Sequence, residues 1–367
     1  MSPGRPPSID SVQATAYSVP TPAPEADGTL SWDATTIVLA EARAGPVSGL
    51  GWTYADAACV PLIEGRLAAQ VAGRPVLDVP AAWTAMRREI RNLGRPGLVS
   101  CAMSAVDVAL WDAAARWLGV PVAGLLGRVH DRVDVYASGG FTSMSARSLI
   151  AQLEHWVHDR GIPRVKIKIG ESWGTEVDRD LERVRLGRET AGENTAIYVD
   201  ANGGYTVGQA RRLIEPLRDQ GVTWFEEPVS SDDLAGLSEL RVPGGPDIAA
   251  GEYGYDLPYF ARLVPVVDCL QIDVTRCGGF TEWRRAAAVA AAMGRDVSAH
   301  CAPNLSAHAG VATANFRHIE WFADHDRIER EFFESSLDPS GGTVSPDEAA
   351  PGLGLEFRRD AAARYRI

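Results

Sequence analysis

A chain of 367 residues, 46% hydrophobic and 23% charged, has room for one barrel of about 250 residues plus a smaller domain and can bury a large core. Its net charge of −12 argues against nucleic acid or an anionic membrane as partner, yet admits an anionic small molecule wherever a dication and lysines reverse the local sign. The five cysteines (59, 101, 269, 277 and 301) are scattered without paired spacing, which predicts reduced thiols and argues against a disulfide framework or a zinc site.

The N-terminal Met-Ser-Pro-Gly-Arg-Pro-Pro lacks the apolar core of a signal peptide. No apolar run reads as long enough to span a bilayer, so the expected location is the cytoplasm. Residues 9–60 read as strands, Ile9–Val19 and Thr35–Ala42, with a turn signal at Ala44-Gly45-Pro46. The Pro/Gly-rich stretch Pro20–Leu30 between them predicts a loop. Residues 60–127 read as helical, most strongly over Ser104–Leu118, where Gly119 stops the pattern and Pro121 follows. From about residue 132, eight β-rich runs alternate with helical segments at intervals of about 20–30 residues, the count a closed (β/α)₈ barrel needs. They are Val133–Ala137, Arg164–Ile169, Ala196–Asp200, Val222–Glu226, Asp247–Ala250, Cys269–Asp273, Asp296–His300 and His318–Glu320. The remainder, about 334–367, is expected to leave the barrel and pack back on the N-terminal unit.

Three carboxylates fall at the ends of successive runs, Asp200, Glu226 and Glu252, each separated from the next by 26 residues (226 − 200 and 252 − 226). One strand plus one helix occupies such an interval, so the three converge at the C-terminal mouth of a parallel barrel. They would repel one another unless a hard cation such as Mg²⁺ neutralised them. In Lys166-Ile167-Lys168, strand alternation puts both lysines on one face, and a nearby dication is expected to depress their pKa values toward those of a carbon base. Asp273 and His300 end adjacent runs, so the carboxylate can hold the imidazole in one tautomer. Glu320 ends the last run, where a protonated carboxyl could donate to an oxyanion. Asn202 could orient substrate, Glu227 is expected to point away or to support the site from behind, and His308 and His318 are read as structural. The combination suits abstraction of a proton α to a carboxylate.

These residues resemble the enolase superfamily, specifically its mandelate racemase-like subgroup. The resemblance rests on Lys166-Ile-Lys168, Asp200-Ala-Asn202, Glu226-Glu-Pro228, Gly251-Glu252, Asp273 with Gly278-Gly279, His300 and Glu320, and on Ser104–Asp112 with Gly119-Val-Pro121 and Leu125-Leu-Gly127. It implies an α/β fold: an α+β capping domain (residues 1–128, with a mobile loop at about 18–32), a modified (β/α)₇β TIM barrel (129–330), and a C-terminal segment (331–367) that completes the capping domain. It implies Mg²⁺ on Asp200, Glu226 and Glu252. Lys168 would be the base on one substrate face, and Lys166 would tune it and contact the carboxylate. His300 with Asp273 would act on the other face, and Glu320 would hydrogen-bond the enediolate. A homo-oligomer is also implied.

Two outcomes stay open: a dehydratase giving a 2-keto-3-deoxy acid from an acid sugar, or a racemase or epimerase of a 2-hydroxy acid of mandelate type. The polar residues Glu25, Asp27, Thr29 and Ser31 of the capping loop, set among Leu30 and Trp32, favour the hydroxylated substrate. A non-catalytic metal-binding barrel would not need two lysines and an Asp–His pair around its ion. A zinc hydrolase would need more histidine ligands than this carboxylate-rich set supplies.

Overall fold

The computed structural model describes residues 5–367, so the first four residues of the N-terminal segment lie outside it. Three antiparallel strands, β1 (Ser11–Ala26), β2 (Ser31–Ala44) and β3 (Val47–Tyr54), form a sheet in that order. The β2–β3 hairpin turns over Gly45-Pro46 as expected, and Gly45 adopts φ +54°, a conformation that favours glycine. Against this sheet packs the helix Leu98–Leu118, ended by Gly119 at φ +68°. Two β3 glycines permit the close approach. A Cβ on Gly49 would stand 2.1 Å from the Ala109 carbonyl oxygen, and one on Gly51 would stand 2.2 Å from that of Ala105. The helix starts six residues before the predicted Ser104. Its 21 residues are long and apolar enough to cross a bilayer, which corrects the sequence reading that no run is. Here 89% of that apolar window is buried, held between the sheet and the barrel helix Gly279–Ala292.

The stretch Pro20–Leu30 is not the irregular loop its composition predicted. β1 continues to Ala26 and pairs with β2 to its end, with one register irregularity between Pro20 and Glu25. The chain therefore arrives at the barrel as a long hairpin turning at Asp27–Leu30. Its tip is tied down: Thr142 Oγ1 donates to the Asp27 carbonyl at 2.7 Å, and the Trp173 N–H donates to the Gly28 carbonyl at 2.9 Å. Gly28 fits where a Cβ would lie 2.7 Å from the Ile169 carbonyl oxygen.

All eight predicted barrel strands are present: β4 (Val133–Gly139), β5 (Arg164–Lys168), β6 (Ala196–Asp200), β7 (Val222–Glu226), β8 (Asp247–Ala250), β9 (Cys269–Ile272), β10 (Asp296–Ala299) and β11 (Phe316–Phe322). They pair in parallel in chain order, and β11 closes on β4. Helices fill the seven connections between them. The helix after β11, Ala323–Phe332, instead meets the capping sheet, where its Glu329 accepts from Trp52 Nε1 and the Tyr54 hydroxyl. Beyond it, β12 (Phe333–Glu334) pairs with β14 (Glu356–Phe357), and β13 (Thr343–Val344) joins the start of β4. The chain end returns to β1, where the Ile367 N–H donates to the Ala16 carbonyl. All five cysteines are buried and free.

Candidate active site

Strand register, rather than sequence proximity, assembles the site. Lys168 lies beside Asp200, and Asp200 beside Glu226, across β5, β6 and β7. Glu252 sits two residues past the end of β8 rather than on it. Gly251 at φ +134° makes that extension possible, because a Cβ there would stand 2.2 Å from the Gln271 carbonyl oxygen. One oxygen from each of Asp200, Glu226 and Glu252 lies within 4.8 Å of the others, and all three residues are buried. Lys166 Nζ reaches Glu226 at 2.5 Å, Glu320 at 2.7 Å and Asp200 at 3.5 Å, and Lys168 Nζ reaches Asp200 at 2.5 Å.

The lysines differ from expectation in one respect. Burial favours their neutral forms, but the Glu226 and Glu320 carboxylates outweigh it and hold Lys166 well above the usual lysine range, while Asp200 does the same for Lys168. The predicted depression counted the repulsion of a dication, whereas the protein's own atoms present attraction at contact distance. Glu320 differs too. It lies inside β11, two residues short of the strand end. Burial would raise its pKa, but Lys166 and then His300 hold it well below the carboxylate range. Ser138 donates to it at 2.6 Å.

On the far side, His300 Nδ1 meets Asp273 Oδ2 at 2.7 Å, with each residue one position past its strand. The other Asp273 oxygen accepts from the Thr275 N–H at 2.6 Å and from its hydroxyl at 2.7 Å. His300 Nε2 faces Glu252 at 3.3 Å and Glu320 at 3.6 Å. Asn202 stands at the mouth with φ +46°, and its buried Oδ1 has no hydrogen-bond partner. Glu227 is buried beside the site. Burial, then the charge of Glu252, pushes its carboxyl well above the usual range. His308 and His318 are buried and bonded to structural groups, the Leu353 carbonyl and Ser298.

Lys168, Asn202, Glu252, His300 and Glu320 line one cavity of about 410 Å³. Its roof comes from the capping unit through Asp27, Leu30, Trp32, Thr35, Tyr54 and Asp56. Of the four polar loop residues that favoured a sugar, only Asp27 lines this cavity. Glu25 is buried to one side, accepting from Trp32 Nε1 at 2.9 Å.

Sequence reading missed Ser138, Trp224 and Arg276. Trp224 donates to Glu226 at 2.9 Å, and Arg276 reaches Glu252 at 3.3 Å and Asp273 at 3.4 Å. Trp224 was findable, because the residue two before a strand-end ligand faces the same interior. Ser138 and Arg276 depend on register and loop path.

A hard dication suits this donor set. Among the described residues, six buried carboxylates (Asp200, Glu226, Glu227, Glu252, Asp273 and Glu320) face only Lys166, Lys168, Arg276 and His300. Burial and then Asp200 push Glu226 up to about 8, a sign of missing positive charge, and Glu252 Oε2 is buried without a hydrogen-bond partner. All-oxygen ligation favours Mg²⁺ over zinc.

Comparison with known proteins agrees with this geometry. The family model described as mandelate racemase/muconate lactonizing enzyme, N-terminal domain, matches residues 11–127, and the enolase C-terminal domain-like model matches 148–361. The chain is 31% identical to D-galactarolactone cycloisomerase of Agrobacterium fabrum, over 87% of this chain and 86% of that protein. It is 30% identical to L-rhamnonate dehydratase of Saccharopolyspora erythraea, over 90% and 85%. A solved mandelate racemase/muconate lactonizing enzyme-like protein from Rubrobacter xylanophilus is 48% identical and superposes with a TM-score of 0.95, covering 98% of this chain and all of that one. A Streptomyces coelicolor A3(2) racemase solved with bound magnesium is 27% identical, with a TM-score of 0.91 over 98% and 100%. The chain is an enzyme of the enolase superfamily and belongs to its mandelate racemase/muconate lactonizing enzyme family.

Proposed function

We propose that this enzyme removes the proton α to the carboxylate of an acid sugar and then eliminates the β-hydroxyl as water, giving a 2-keto-3-deoxy acid. The observation that carries the reading is one cavity lined by Lys168 and by His300, the latter held from behind by Asp273, two proton-transfer groups on strands well separated around the barrel. Asp200, Glu226 and Glu252 would hold Mg²⁺, which when bound polarises the substrate carboxylate and lowers the α-proton's pKa. With the Asp200 charge engaged by the ion, the attraction that keeps Lys168 protonated is relieved; its neutral Nζ takes the α-proton, and the Lys166 ammonium beside it favours that neutral base and faces the carboxylate. The C–H electrons pass into the carboxylate as an enediolate, whose collapse forms the Cα–Cβ double bond as the Cβ–O bond breaks; the resulting enol then loses its hydroxyl proton and gains one at Cβ to give the keto acid. His300 Nε2 gives its proton to the departing hydroxyl, and Asp273 holds the ring so that this nitrogen points inward. Glu320, fixed by Ser138 and Lys166, hydrogen-bonds the enediolate oxygens when it carries a proton, and the Asn202 amide receives a substrate hydroxyl. A dehydratase and a cycloisomerase of sugar acids or lactones among the relatives support the substrate class. A cytoplasmic homo-oligomer completes the reading.

A racemase or epimerase using the same two groups is the second reading, favoured by the apolar Leu30, Trp32 and Phe322 on the cavity wall. Incubation with Mg²⁺ and a panel of acid sugars plus mandelate in D₂O, followed by mass spectrometry, separates the two. Loss of water from an acid sugar supports the dehydratase. Gain of one deuteron without water loss selects the racemase and overturns it.

A further inference from the structure

Charge in the cavity is one-sided. Its cationic groups, Lys168, Arg276 and His300, stand on the barrel floor, and each is already met by a carboxylate: Asp200, Glu252 with Asp273, and Asp273. The roof offers Asp27 and Asp56 among Leu30, Trp32, Thr35 and Tyr54, with no lysine or arginine among the described residues that line it. The remaining ring on that side, His325, is stacked on Tyr54 with centroids 3.3 Å apart. Its Nδ1 accepts from the Ala302 N–H, and burial keeps it neutral.

Both aspartates are pinned by their own turns. Asp27 Oδ1 accepts from the N–H groups of Thr29 at 2.6 Å and Leu30 at 2.8 Å, and Asp56 Oδ1 accepts from the Ala58 N–H at 2.8 Å. Neither turn uses the second carboxylate oxygen. We infer that the substrate is a monocarboxylate with an uncharged far end, an aldonate-type acid ending in a hydroxymethyl or methyl group, and that Asp27 and Asp56 exclude dicarboxylates. A terminal hydroxyl can donate to the free aspartate oxygens, and a methyl can rest on Leu30 and Trp32. Either carboxylate of a diacid can occupy the catalytic end, but the other then meets two like charges and no free cation.

This inference rests on the acid-sugar reading, and one experiment tests the two separately. With Mg²⁺ present, kcat/KM is measured for aldonate and aldarate pairs of matched configuration that differ only at the terminal carbon. The aldonate is expected to be preferred by about 100-fold or more. The Asp27→Asn/Asp56→Asn double variant keeps both turn acceptors and removes both charges, and should narrow that preference by about tenfold. Asp56→Asn alone, at an exposed position, should move the preference the same way if the double variant is unstable. An aldarate used as well as its aldonate partner, or an unchanged preference in a folded variant, overturns the inference and leaves the acid-sugar reading standing. Failure of every acid sugar to lose water or take up α-deuterium overturns the acid-sugar reading and this inference with it.

Discussion

Asp273→Asn should disable one catalytic face and spare the other. Asp273 Oδ1 accepts from the Thr275 N–H at 2.6 Å, so the amide oxygen of the variant must occupy that position. Its NH₂ then falls where Oδ2 now stands, 2.7 Å from His300 Nδ1. A donor facing Nδ1 forces the ring proton onto Nε2, the nitrogen meant to exchange protons with substrate, and removes the charge that stabilises the imidazolium. General acid–base catalysis contributes about 10²–10⁴ in rate, so turnover should fall by that factor, equivalent to about 3–5 kcal/mol. Exchange of the α-proton through Lys168 should persist. The assay pairs product formation with deuterium uptake into recovered substrate. Turnover within about threefold of the parent, or equal loss of both signals in a folded variant, would refute the reasoning.

Mg²⁺ at about 100 times its dissociation constant should stabilise the fold by about 2.7 kcal/mol. Calorimetry should show a higher Tm that EDTA reverses and Glu252→Gln largely abolishes; an unchanged Tm would contradict the metal assignment. Gly51→Ala drives a methyl to within 2.2 Å of the Ala105 carbonyl oxygen and should cost about 3 kcal/mol in denaturant unfolding, because backbone on both sides must give. A pH effect is expected from Glu25, pushed up to about 7 by burial and then by Asp324. Because this raised carboxyl binds its proton more tightly in the fold, its contribution is complete below the ordinary carboxylate pKa and lost as pH rises through about 7. Glu25→Gln should flatten that part of the profile of Tm against pH, and an identical slope in the variant would count against it.

Alternating apolar runs at regular intervals specified eight parallel strands, because a period of two and a strand-plus-helix repeat leave few other packings. The barrel's chain direction then placed Asp200, Glu226, Glu252, Asp273 and His300 at one mouth without any coordinates. What local pattern cannot encode is distance between remote segments. Pro20–Leu30 looks like a loop by composition, yet β2 supplies partners that keep it a strand. Leu98–Leu118 passes for a membrane helix until Gly49 and Gly51 let a sheet cover it. Ser138 meets Glu320 only because β11 closes on β4, and Arg276 meets Glu252 only through the path of a loop. The protonation of Lys166 and Glu320 also belongs to the tertiary structure, since Coulomb energy depends on the separations and burial that folding alone creates. Periodicity is a property of neighbours along the chain, while register, closure and charge balance are properties of neighbours in space.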